Sequence, residues 1–219
     1  MPMAGSESEG LLDMLLGCLL SLILMPCAAC GQTVDPSSRS VFNSADLIQL
    51  LAKHLDEPAV RGLFLRLNQG EEPDAHVAGN AFVGESRTYF FPSAGVIVCA
   101  TDFSGGGQRI GVVTLVGKPR KVVLDGQEYA VQAFRGSLPL SLRWGELRAD
   151  IHKRLGRPAM SNEGISLSDR PKSPIQETRD ADEFQDGDVI IRLIYADPIE
   201  GGNFLEEIDL QRSMVRKQP

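Results

Sequence analysis

Residues 147–160 read LRADIHKRLGRPAM, with Leu147, Ile151 and Leu155 at helical spacing before Gly156 and Pro158 end the pattern. One hundred positions earlier, residues 47–60 read LIQLLAKHLDEPAV, and the stretches agree at Leu47/Leu147, Lys53/Lys153, Leu55/Leu155, Pro58/Pro158 and Ala59/Ala159. Average composition gives about one identity in such a window. Five identities point to one unit built twice, and that reading sets the expected fold.

The first copy is expected to open with Ser44 as a helix cap and Leu47, Ile48, Leu50, Leu51 and Leu55 along one helix. Pro58 suits the first turn of a second helix carrying Val60, Leu63, Phe64 and Leu67, which a polar loop, NQGEEPDAHVAGN, then ends. Thr88–Phe91, Gly95–Ala100 and Ile110–Val116 are β-branched or aromatic runs, with FSGGGQ turning between the last two. In KVVLDGQEYAV, Asp125-Gly126 between β-formers predicts a tight hairpin. The second copy repeats the order: a helix from Leu147, a polar stretch from Ser161 to Asp180, then strands at Phe184, Val189–Tyr195 and Phe204–Leu210. Gly95-Val-Ile-Val matches Gly187-Asp-Val-Ile-Ile, and Ile110, Val113 and Leu115 match Leu205, Ile208 and Leu210 in spacing. The predicted class is α+β, because strands follow helices without strict alternation. Two tandem units are expected, 43–136 and 137–213, each one or two helices followed by a three- to four-stranded antiparallel sheet.

Residues 1–30 belong to a different regime. Leu11–Cys30 is apolar apart from Asp13 and Ser21, and no Lys or Arg occurs in the first thirty positions. The segment reads as a signal or membrane anchor, joined by a polar linker over 31–42. Cys30 is the candidate lipidation site, although Cys27 stands where such signals carry Leu; cleavage after a small residue and an accessory helix in a cytoplasmic protein are the alternatives. Without the leader, 26 acidic residues face 22 basic ones, and no basic stripe occurs. That balance argues against nucleic acid as a partner. Cys99 is the one cysteine left in the body, so the fold must stand on its core without an intrachain disulfide.

Leu138-Pro139 with Trp144-Gly145, then RADIHKRLGRP over 148–158, then the Phe184–Tyr195 strand region, resemble the repeat of the beta-lactamase inhibitor protein and of the small outer-membrane assembly lipoproteins. The resemblance covers roughly 47–116 and 137–211. It implies a noncatalytic binding protein. The chain departs from the inhibitor in lacking body disulfides and from the assembly lipoprotein in having two units.

Motifs for chemistry are sparse. No His-x-x-x-His or Cys-x-x-Cys occurs in the body, so neither a metal site nor a cofactor is expected. His54 and His152 are read as exposed helix residues and Cys99 as a buried thiol. DADEFQDGD over 180–188 puts Phe184 where a calcium loop needs a ligand; it is read as a solvated lead-in to an Asp186-Gly187-Asp188 turn. Trp144 fits a core position or a partner anchor, and a concave surface rimmed by Trp144, Arg143, Arg148 and the acidic loop is the expected binding surface. The expected function is noncatalytic protein binding in the bacterial cell envelope, of inhibitor, immunity or assembly type. The partner is expected to be another protein, with membrane contact only through residues 11–30 or a lipid on Cys30. A cytoplasmic immunity-like protein is the alternative. An envelope hydrolase with a dispersed site is the third reading, and it would need His76 gathered with carboxylates of 180–188.

Overall fold

In the computed structural model the chain divides into two compact units, Met1–Ser40 and Val41–Pro219. The structure describes residues 42–80, 84–102, 106–124, 126–162, 179–196 and 203–212, all in the second unit. The leader, Cys30, most of the linker, and the greater part of the polar 161–180 stretch lie outside the described residues.

Among the described residues, helices α1 (Ser44–Ile48), α2 (Pro58–Leu67) and α3 (Arg148–Leu155) accompany ten strands: β1 (Ala75–Asn80), β2 (Gly84–Phe91), β3 (Val96–Thr101), β4 (Arg109–Val116), β5 (Arg120–Leu124), β6 (Gln127–Val131), β7 (Met160–Asn162), β8 (Ala181–Asp186), β9 (Val189–Tyr195) and β10 (Leu205–Arg212). Eight strands form one antiparallel sheet in the order β1-β2-β3-β4-β10-β9-β8-β7, and β5 and β6 form a separate hairpin. The fold is α+β with few helices and a large antiparallel sheet.

Strand alternation sorts the side chains. Val96, Val98, Val113, Leu115, Ile191, Leu193, Ile208 and Leu210 point to one face, where Leu47, Leu50, Leu51, Val60, Leu63, Phe64 and Ile151 cover them in a single core. Phe64 sets its ring 5.0 Å from both Tyr89 and Phe91, which ties α2 to β2. On the other face the β5–β6 hairpin closes a smaller cluster, with Tyr129 stacked 4.4 Å from Phe90 and Val131 beside Val116. The Asp-Gly hairpin is present as expected: Leu124 pairs with Gln127, and Gly126 takes φ +78°.

Several local expectations change. Asn43, not Ser44, caps α1, its Oδ1 accepting from the Asp46 amide at 2.9 Å. The helix expected to reach Leu55 ends at Ile48. The reason is tertiary: the Ala52 and Leu55 amides donate to Ile110 and Gln108 carbonyls, and the Ile110 amide donates to Lys53. These bonds draw the chain onto β4, with Ala52 at φ +65° and His54 bridged to Arg109, and override helix propensity. Hence the identities one hundred positions apart do not share elements, since Lys153 and Leu155 are helical while Lys53 and Leu55 are not. Leu147 leaves the expected apolar face: it precedes α3 in extended conformation, 42% exposed, bridged to Phe204. Strand β1 forms within the stretch expected to be a polar loop.

Candidate functional site

Of the three residues expected at a binding surface, Arg143 is exposed, Trp144 is half-buried and Arg148 is buried. Trp144 donates its Nε1–H to the Phe134 carbonyl at 2.9 Å and packs on the core. Its ring leaves no room for a side chain at residue 117: a Cβ on Gly117 would stand 2.8 Å from Trp144 Cδ2. Trp144 is therefore held in the packing of the core. Arg148 does not rim an open surface. It sits 8% exposed in the first turn of α3, because α3 lies over β8 and β9, and its charge is consumed internally.

The acidic stretch read as solvated supplies that consumption. Asp180 and Asp182 are 6% and 0% exposed. In β8, residues 182 and 184 point to the same face, so Asp182 follows Phe184 inward beneath α3. Arg148 Nε and Nη2 grip the two Asp182 oxygens at 2.9 and 2.7 Å, and Nη1 reaches Asp180 at 2.8 Å. The Ser161 hydroxyl accepts from Arg148 Nη2 and donates to Asp182, both at 2.7 Å. His152 Nε2 stands 2.6 Å from the second Asp182 oxygen. The guanidinium also lies 5.3 Å from the Tyr195 ring centre, a cation–π contact. Burial pushes the Asp182 carboxyl up, but hydrogen bonds from Arg148, Ser161 and His152 prevail and hold it down at about 2. Burial likewise raises the Tyr195 phenol. One carboxylate thus collects three donors from α3 and β7.

His152 is not the freely exposed residue expected from the sequence. Its side chain is 35% exposed, its ring packs edge-on to Phe184 at 6.4 Å, and it lines a cleft of about 560 Å³ with Gly156, Arg157, Pro158, Ala159 and Ser161. His76 lies on β1, at the opposite end of the sheet order from β8 and β7, so the 180–188 carboxylates gather His152 instead. Asp186 ends β8 and pairs with Val189 across the expected turn, with Gly187 at φ +61°. Cys99 is part-buried on β3, its Sγ 4.0 Å from the Thr88 hydroxyl.

The sheet face away from the helices carries two lateral rows of side chains. One runs Phe90, Ile97, Thr114, Asp209, Arg192, Glu183, Met160. The next runs His76, Thr88, Cys99, Val112, Gln211, Ile190, Gln185. Most of these residues are half-buried, and Met160 is 62% exposed. Thr114 donates to Asp209 at 2.6 Å across the β4–β10 seam, and Arg192 stands 4.0 Å from Glu183. At the hairpin end of this face, buried Glu207 is paired with Arg120 of β5 and, at 3.5 Å, with Arg179.

Compared with protein families, curated proteins and solved structures, the chain matches none. Among the described residues, no helix is long and apolar enough to cross a membrane, and no group of three or more His, Cys, Asp or Glu is placed to hold a metal ion.

Proposed function

We propose that this protein is a noncatalytic protein-binding protein of the bacterial cell envelope, of inhibitor, immunity or assembly type, and that it binds through the sheet face opposite the helices. The observation that carries the reading is the part of the two lateral rows beyond the hairpin-covered Phe90 and Ile97, where Cys99, Val112 and Ile190 of one row stand beside Thr114, Asp209, Arg192 and Glu183 of the other. A broad, rigid face of half-buried apolar groups set among hydrogen-bonding and charged groups is what a protein interface requires. Envelope placement rests on the apolar, Cys-ending composition of residues 11–30.

We further propose that the sheet is built from two tandem units. Support comes from the strand order, which reads β1-β2-β3-β4 and then β10-β9-β8-β7 about a β4–β10 seam. Thr114 and Asp209 pair directly across the seam, and these residues are ninety-five positions apart. The isolated bridges nearly keep this spacing, since His54 meets Arg109 and Leu147 meets Phe204, Arg109 and Phe204 being ninety-five positions apart and His54 and Leu147 ninety-three. By order, each bridge residue is followed by a helix, α2 after His54 and α3 after Leu147, so α3 is the counterpart of α2. The turn glycines do not match in this register: Val96, which faces Leu115, corresponds to Ile191, which faces Leu210, so Gly95 falls three positions beyond Gly187.

The test is photo-crosslinking in cells from a reactive residue placed singly at Val112, Ile190 or, as a control on edge strand β1, Val77. The reading expects the same crosslinked protein from Val112 and Ile190 and not from Val77. Absence of crosslinks from both face positions, or equal crosslinking from Val77, would overturn it.

A further inference from the structure

The cleft beside α3 is separate from the proposed binding face, since Asp182 and Phe184 point to the helix side of the sheet. Two of its lining residues carry unused capacity. Arg157 is exposed and has no hydrogen-bond or ion-pair partner among the described residues, unlike Arg154, which is spent on Glu146 and the Leu140 carbonyl. His152 has Nε2 engaged by Asp182, while Nδ1 has no partner among the described residues. The Ser161 hydroxyl is already committed to Arg148 and Asp182. We propose that the cleft is an oxyanion-binding site, taking a carboxylate or phosphoryl group between the Arg157 guanidinium and the His152 imidazole.

The electrostatics favour this polarity. Asp182 anchors one edge of the imidazole as a hydrogen-bond acceptor, and Arg148 keeps that carboxylate ionised. With Nε2 directed to Asp182, an N–H at Nδ1 can donate to an anion, which completes the chain carboxylate, imidazole, oxyanion. The groups facing the ring are Asp182 and Phe184 of β8, with Arg148 of its own helix, Asp180 and Ser161 completing the cluster around Asp182. The last carbonyls of α3 oppose an anion with about half a negative charge. The full charge on Arg157 outweighs them, with exposed Lys153 adding in the same sense.

The test is NMR titration of the His152 ring in the full chain, using sulfate and acetate, at pH 5.5 and pH 8. Saturable shifts are expected at the lower pH. Sulfate alone binding assigns a phosphoryl group and acetate alone a carboxylate. Arg157→Gln, at an exposed position, should weaken binding about tenfold with folding retained, through loss of a charge-assisted contact. His152→Asn, read on the Arg157 side-chain resonances, should likewise weaken binding. No saturable shift with either anion, or equal binding by Arg157→Gln, would overturn the proposal.

Discussion

Arg148 and Asp182 make two hydrogen bonds to each other in a buried setting, and Asp180 adds a second carboxylate to the same guanidinium. Such a pair is costly to bury, but costlier to break, because removing one partner strands the other charge. Arg148→Met should therefore lower the unfolding free energy by about 3–5 kcal/mol, read from the urea midpoint. The same carboxylate sets an acid limit. Its pKa is about 2 in the fold against 3.8 ordinarily, so its stabilisation is complete above 3.8 and lost as pH falls towards 2. Asp182→Asn should flatten stability against pH in that window; a profile unchanged from the parent would contradict the assignment. Trp144→Phe keeps the ring packing and loses the bond to the Phe134 carbonyl, for an expected cost of about 1 kcal/mol.

The elements show where sequence patterns carried and where they did not. Alternating β-branched runs placed β3, β4, β9 and β10, and Asp-Gly placed the β5–β6 hairpin, because period-two burial and turn chemistry are local signals. The C-terminal part of the helix expected over 47–55 failed because backbone groups of 52–55 bond to β4, a contact more than fifty residues away in the chain. A strand at Phe184 was expected and β8 is there, but its charge hid which way its aspartates point. The run Asp180, Asp182, Phe184 alternates correctly for a strand, yet inward aspartates read as solvated until Arg148 is known to lie above them. Glycines test the same distinction. Gly95 turns at φ +70° with the 132–134 backbone against it, a Cβ there falling 2.6 Å from the Gln132 carbonyl oxygen, whereas Gly126 at φ +78° faces open space. Gly126→Ala should cost about 1–2 kcal/mol for the left-handed backbone alone. Gly95→Ala should cost clearly more, and equal melting temperatures for the two variants would contradict this packing.

At the scale of the whole molecule, composition by itself made the body acidic with a single cysteine, and the order of helix and strand patterns made it α+β. It also showed that its strands would be antiparallel hairpins. Propensity, alternation and turn residues act within a few positions, so one chain reads them directly. The tertiary structure alone decided that the strands join into a single eight-stranded sheet with β4 and β10 at its seam. It decided too that the phrase over 147–160 delivers a buried arginine, not a surface one, and that His152 belongs to that arginine's cluster. Those outcomes depend on which side chains meet across long stretches of chain, where the cost of burying a charge is repaid only by a partner no local pattern specifies.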